Sequence, residues 1–362
     1  MSSPDQLRRA RTNRRGYIDW LRGLSVLIMI EAHTLDAWTR LDGRQNSVYG
    51  WAMIVGGFAA PGFLFLAGVA LPLAAGSRLR RGVPAKQTAA LARRRALQIF
   101  GLAFLFRLQS WLISGGGSAQ ALLKVDILNI MGLSMLAAAV LWGAGRNRLE
   151  RIAWLVGAMV IVAMVTPIVR ASPLLSPMPD PLEWYIRPIP GRGTFTLFPW
   201  AGFLLAGAVA GMWLDAVRTP DDERRLNVVF AVLGVTIAGA GYAASFLPPI
   251  YRDTSFWTTS PTFFFLRVGV LLMSLPVAYA WDKAWSGRSV LQEFGRASLF
   301  IYWIHVELAY GVLSGPIHKT LTLGQAFVAY ALFTAALFAV AKVKDQIVDW
   351  WNAGRLQPSG AV

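Results

Sequence analysis

Arg22 and His33 lie eleven residues apart in the first apolar stretch of the chain, and both are residue types that do chemistry. A guanidinium grips phosphate or carboxylate oxygens, and an imidazole takes or gives a proton near neutral pH. On a helix, Asp19, Arg22, Met29, His33 and Asp36 fall on one face. Eleven residues span about 16 Å of helix axis, so one stripe carries a cation near one membrane surface and an imidazole towards the other. Such a stripe suits a protein that accepts an anionic donor from one side and moves a proton deeper in. Two plainer readings stay open. Arg22 can be an interfacial anchor whose head reaches lipid phosphates, with Asp19 as its ion-pair partner, and His33 can be a hydrogen-bonded structural histidine.

Glu31, two residues before His33, points about 160° away around the helix. A partner such as Arg107 or Arg267 is expected for it, because an unpaired charge at membrane depth is costly. Further ionisable or polar residues fall inside or at the ends of apolar stretches: Arg107, Gln109, Asp126, Asn129, Trp200, Arg267 and His305. Charges within membrane segments default to functional hypotheses, and the outer half of a helix bundle is where most of these would converge. His318 falls in a short loop and is read as surface. Three scattered histidines and no cysteine give no metal-ligand spacing and exclude thiolate chemistry.

These residues need helices to position them. The 362 residues are 55% apolar and only 15% charged, with mean hydropathy +0.48; ordinary soluble domains carry about 25% charged residues. Apolar blocks near 17–37, 50–75, 95–113, 125–143, 152–170, 195–215, 227–247, 261–281, 296–314 and 322–341 are each close to the roughly 20 residues that cross a bilayer. The fold class expected is all-α, a polytopic membrane bundle of about ten transmembrane helices. Fifteen tryptophans and nine tyrosines suit the lipid–water boundaries.

The net charge of +16 does not imply nucleic acid, because the cations are sorted by loop. Only Arg40, Arg44, Lys124, Arg170, Arg187, Arg192, Arg252 and Lys319 fall in loops on the side away from the N-terminus. Arg8, Arg9, Arg11, Arg14 and Arg15, then Arg78, Arg80, Arg81 and Arg93 to Arg95, fall on the other. This asymmetry puts both termini in the cytoplasm, with the basic segments facing anionic headgroups. The first stretch is too long and too charged for a cleaved signal and reads as a signal anchor. The organisation expected is a basic cytoplasmic segment at 1–16, a transmembrane body at 17–345 and a cytoplasmic tail at 346–362. In the loop 171–194, six prolines forbid a helix and favour an extended cover or a solvated connector. The stretch 342–355 reads as a span end followed by an interfacial turn.

The segment Tyr17-Ile-Asp-Trp-Leu-Arg-Gly-Leu-Ser-Val-Leu-Ile-Met-Ile-Glu-Ala-His33 resembles the Arg-x10-His signature of transmembrane acyltransferases. The similarity is closest to bacterial relatives of heparan-alpha-glucosaminide N-acetyltransferase. Supporting segments, in order, are Pro61–Gly68, Asp126–Gly132, Phe198–Gly202 and Phe294–His305. The resemblance implies a ten-helix bundle in the bacterial inner (plasma) membrane. Such a bundle takes an acyl group, acetyl by this likeness, from cytosolic acyl-CoA as donor substrate and transfers it to an extracytoplasmic carbohydrate. It implies His33 as the catalytic histidine, Arg22 as a donor contact and His305 as part of a late histidine segment; Glu31 departs from the pattern, where an apolar residue is expected.

Chemistry then suggests roles for the rest. Arg107 or Arg267 could stabilise an oxyanion, with Asp126 in the same candidate catalytic group. Arg94 and Arg95 would join Arg22 in drawing CoA phosphates to the inner face, with Asp19 in the same candidate donor site as the partner of Arg22, although topology alone also accounts for the arginine cluster. Gly207 and Gly211 serve close helix packing or leave a slot for a pantetheine arm. Direct transfer and a covalent acyl-His33 intermediate are both chemically open. The partners expected are membrane lipids, acyl-CoA and a carbohydrate acceptor, with no nucleic acid and no metal; a homo-oligomer is compatible with the sequence. The competing class is a transporter or flippase of a glycan or lipid precursor, which would also use intramembrane charges, although no internal repeat supports it.

Overall fold

Apolar periodicity and capping residues divide the chain into long helices. The computed structural model describes residues 15–175, 177–285, 287 and 289–355; Arg8, Arg9, Arg11 and Arg14 of the basic leader and the end of the tail lie outside the described residues. Among the described residues are thirteen α-helices and no β-strand beyond isolated bridges. They are α1 (Gly16–Trp38), α2 (Ser47–Gly56), α3 (Ala59–Arg80), α4 (Ala85–Ile113), α5 (Ile127–Ala144), α6 (Arg148–Ala171), α7 (Asp180–Glu183), α8 (Leu197–Ala216), α9 (Pro220–Ala244), α10 (Pro261–Ala284), α11 (Val290–Arg296), α12 (Ser298–Tyr310) and α13 (Leu323–Arg355).

Among the described residues, eight stretches are long and apolar enough to cross a membrane: Ser47–Arg80, α4, α5, α6, α8, α9, α10 and Leu323–Asn352 of α13. The all-α polytopic membrane architecture is therefore as expected. Two of the ten expected spans do not reach that standard. Every 18-residue window of α1 holds at least three of Asp19, Arg22, Glu31 and Asp36, and the ninth is cut to the 13 residues of α12 by the break at Ala297. Leu105 and Leu112 of α4, Ile161 of α6, Val232 and Val235 of α9 and Leu332 of α13 are exposed. On a water-soluble protein so much apolar surface would drive association; here it is the lipid-facing coat.

Helix starts follow the capping rules. Asp126 and Asn129 form a capping box on α5, Thr219 and Asp222 one on α9, and Pro220 and Pro261 occupy first turns. Two local expectations are corrected. The proline-rich loop does hold helix, a 3-10 turn at Pro173–Leu175 and the single turn α7, because Pro181 sits in the first turn, where its missing N–H costs nothing. The stretch 342–355 has no interfacial turn: α13 runs on to Arg355, since no glycine or proline interrupts residues 325–353.

The chain divides into two compact units, Met1–Ala59 with Gly287–Val362, and Ala60–Ser286. In the first, α1 packs against α2, α11, α12 and α13. Gly23 lies against the backbone of Leu291, and Gly295 against the backbone of Asp19, so α1 and α11 approach as closely as two helices can. The far end of α1 is tied down by Trp38 Nε1 donating to the Ala309 carbonyl (3.1 Å) and by Leu321 N donating to Trp38 O (3.0 Å). In the second unit, α4 packs on α5, α6 on α8 and α9 on α10. Gly207 and Gly211 of α8 rest on the backbone of Phe65 and Val69 in α3. Of the two readings of that glycine pair, close packing is the one the structure displays.

Candidate functional site

The first unit brings together two histidines from opposite ends of the chain. His33 Nδ1 lies 2.8 Å from His305 Nε2. Their ring planes are 4° apart with centroids at 5.1 Å, so the rings meet edge to edge in one plane rather than face to face. His305 is fully buried. Its Nδ1 lies 3.0 Å from the Ile301 carbonyl and 2.8 Å from the Tyr302 carbonyl.

Carbonyl oxygens only accept, so His305 Nδ1 carries the hydrogen. In a neutral imidazole the other nitrogen, Nε2, is then the acceptor. His33 Nδ1–H must be the donor of the shared bond, and the His33 lone pair falls on Nε2. A turn of α12 backbone thus sets the tautomer of His305, and His305 sets the tautomer of His33. The arrangement yields an oriented base whose cation, once formed, donates from Nδ1 to a waiting acceptor.

Around the pair is a second set of groups that spacing did not reveal. The Tyr310 ring stands at 68° to His33, centroids 5.6 Å apart, and its hydroxyl donates to Asp36 Oδ2 at 2.9 Å. Arg44, beyond the end of α1, pairs with Asp36 Oδ1 at 3.3 Å, donates from Nε to the Thr39 carbonyl at 3.2 Å and reaches the Asp36 carbonyl as well. A cation on the last carbonyls of a helix opposes its negative end. Asp36 was legible as part of the stripe. Arg44 and Tyr310 gave no signal, because their partners lie eight and 274 residues away.

At the other end of α1, Arg22 Nη1 and Asp19 Oδ1 are 3.3 Å apart, with Asp19 buried and Arg22 half-buried. Arg94, Arg95, Arg107, Asp126, Asn129 and Arg267 belong to the second unit. Arg107 Nη2 meets Asp126 Oδ2 at 3.0 Å, and Asp126 Oδ1 caps α5 through Ile127 N. Asn129 donates to the Tyr185 hydroxyl at 3.2 Å. Arg267 stacks on Phe263, 4.1 Å from its centroid. Arg94 and Arg95 are exposed on α4, and His318 is exposed as expected. Arg107 is thus engaged by Asp126. Among the described residues no three His, Asp or Glu side chains form a group that could hold a metal ion.

The sequence model of one family, described as heparan-alpha-glucosaminide N-acetyltransferase, catalytic, matches residues 14–236. That stretch includes Arg22, His33, Arg107 and Asp126 and stops before Arg267 and His305. No curated protein matches the chain.

Proposed function

We infer, from the premise that the chain belongs to the heparan-alpha-glucosaminide N-acetyltransferase catalytic family, that this multi-pass membrane acetyltransferase uses His33 as the base of the transfer. The observation that carries the reading is the directed hydrogen bond from His33 Nδ1 to His305 Nε2. The donor is acetyl-CoA, reached from the cytosolic side. The acceptor is a sugar amine or hydroxyl on the opposite side of the plasma membrane.

A thioester is already activated, so the protein has to supply a base and hold the geometry. The acceptor nitrogen or oxygen attacks the acetyl carbonyl carbon as His33 Nε2 takes its proton. The tetrahedral intermediate collapses with cleavage of the C–S bond, and the imidazolium returns the proton to the departing CoA thiolate. His305 receives the Nδ1–H of His33 throughout and keeps Nε2 directed at the reacting atoms; such base catalysis is worth about 10²–10⁴-fold in rate. Arg22, held by Asp19, provides the cation for a donor phosphate.

The test is incubation of membranes containing the protein with radiolabelled acetyl-CoA, followed by analysis of labelled glycans. Label in a carbohydrate fraction, absent with His33→Ala, is the expected result. Acetyl-CoA should also raise the melting temperature of the purified protein. No rise, together with substrate uptake into liposomes, would replace the enzyme reading with transport. Label retained on the protein when no acceptor is present would identify a covalent acetyl-histidine route.

A further inference from the structure

Three cations meet in the second unit where the loop before α5 is pinned to the loop before α8. Val125 N donates to the Arg192 carbonyl at 3.1 Å, and Gly193 bridges to Val125. This places Lys124 and Arg192 in adjoining segments. Arg107 reaches the same place from α4 through its 3.0 Å pair with Asp126. The floor beneath them is solid: buried Val125, Ile130 and Trp184 form one apolar cluster with Tyr185, Ile189, Phe195 and Trp200 packed on it. Arg192 itself lies over the Trp184 ring, 5.3 Å from its centroid. This part of the proline-rich loop is a docked layer, not a solvated connector.

The charge there is out of balance. Asp126 is the carboxylate in contact, and its two oxygens serve Arg107 and the backbone of Ile127. Among the described residues neither Lys124 nor Arg192 has an ion pair. Lys124 is half-buried. Burial holds its ammonium below the ordinary lysine range, and repulsion from Arg107 and Arg192 adds to this against the pull of Asp126. On the ten-span topology expected from the sequence, Lys124 and Arg192 are also two of the eight loop cations on the side where the charge rule disfavours them. Like charges gathered on a rigid base, at a cost to folding, are what a binding site for an anion requires.

We propose that Lys124 and Arg192, with Arg107 held beside them by Asp126, form a site for a phosphate ester at the non-cytoplasmic membrane surface. An arginine fork and a lysine point charge together match a tetrahedral group with several acceptor oxygens. The phosphate can belong to a lipid headgroup or to a sugar phosphate. The site does not depend on the acetyltransferase reading, since its test measures binding alone.

The full chain, purified in detergent, is titrated with dihexanoyl phosphatidic acid and with glucosamine 1-phosphate, and affinity and melting temperature are recorded. Lys124→Gln and Arg192→Gln should each weaken binding about tenfold, the usual loss for one charge-assisted hydrogen bond. The ligand-free melting temperature of Lys124→Gln should match or exceed wild type, because repulsion is relieved. Arg224→Gln removes the same single charge from α9 and should change nothing. Binding of the lipid alone assigns the site to a headgroup, binding of the sugar phosphate alone to a soluble or glycan phosphate, and binding of both to the phosphate itself. Failure of both probes to bind, or equal affinity in wild type and the Lys124 and Arg192 variants, overturns the proposal.

Discussion

His33 donates its Nδ1 hydrogen to Nε2 of His305 across 2.8 Å, although 272 residues separate them in the chain. The direction of that bond is fixed by two carbonyls of α12 that can only accept from His305 Nδ1. His305 is therefore a positioning residue: it acts on the reaction through the orientation and charge of His33.

A graded series follows from that geometry. His33→Ala should lower kcat by about 10²–10⁴-fold with the protein still folded. His305→Ala should lower kcat while leaving the KM for acetyl-CoA near wild type. His305→Gln, whose amide oxygen can accept from His33 Nδ1–H, should recover a large part of the lost rate. Equal activity in the Gln and Ala variants of His305 would mean that the shared hydrogen bond does not serve catalysis.

How much of this was legible in the sequence depends on distance along the chain. The polar stripe of α1 was readable because helical periodicity puts Asp19, Arg22, His33 and Asp36 on one face without knowledge of anything else. The Arg22–Asp19 pair, three residues apart, is local for the same reason. The coupling of His33 to His305 was not readable, since it depends on both chain ends folding into one unit. Lys124 and Arg192 were visible only as loop cations, because their meeting depends on a backbone hydrogen bond between distant loops. Helix boundaries shifted where charged residues continue a helix beyond the apolar block, as Lys86 and Arg93 to Arg95 do at the start of α4.

Arg22→Ala should weaken donor binding more than chemistry. A guanidinium lost from a phosphate contact costs about 1.5–3 kcal/mol, which is about a 10- to 100-fold rise in the dissociation constant for acetyl-CoA. Arg22→Lys should restore part of it. Isothermal titration in detergent with CoA and with dephospho-CoA separates a phosphate contact from general attraction. Unchanged affinity in Arg22→Ala would remove the residue from the donor site and leave it as the partner of Asp19.

Tyr310, Asp36 and Arg44 fasten the ends of α1 and α12 that carry the two histidines. Tyr310→Phe keeps the ring beside His33 and removes only the hydroxyl bond to Asp36, an exposed contact worth about 1 kcal/mol. Asp36→Asn weakens the contacts to both Tyr310 and Arg44 and should reduce kcat further than Tyr310→Phe does. In the double variant the two effects should be less than additive, as expected of residues acting through one contact. Strictly additive losses would show that Tyr310 and Asp36 influence His33 independently.

Gly23 offers a test of the frame rather than of the chemistry. A Cβ at this position would fall on the backbone of Leu291, and backbone has no rotamer by which to move aside. Gly23→Leu must therefore push α11 away from α1 and, with it, loosen the contact of Gly295 with Asp19. Overpacking of this kind costs about 1–3 kcal/mol, so the melting temperature of the purified protein should fall. Arg22 is the next residue along and Asp19 is held at the same contact, so donor affinity should fall with it, whereas Gly50→Ala, where the added atom meets open space, should change neither. A Gly23→Leu protein with wild-type melting and wild-type acetyl-CoA binding would show that α1 and α11 do not pack as closely as their glycines indicate.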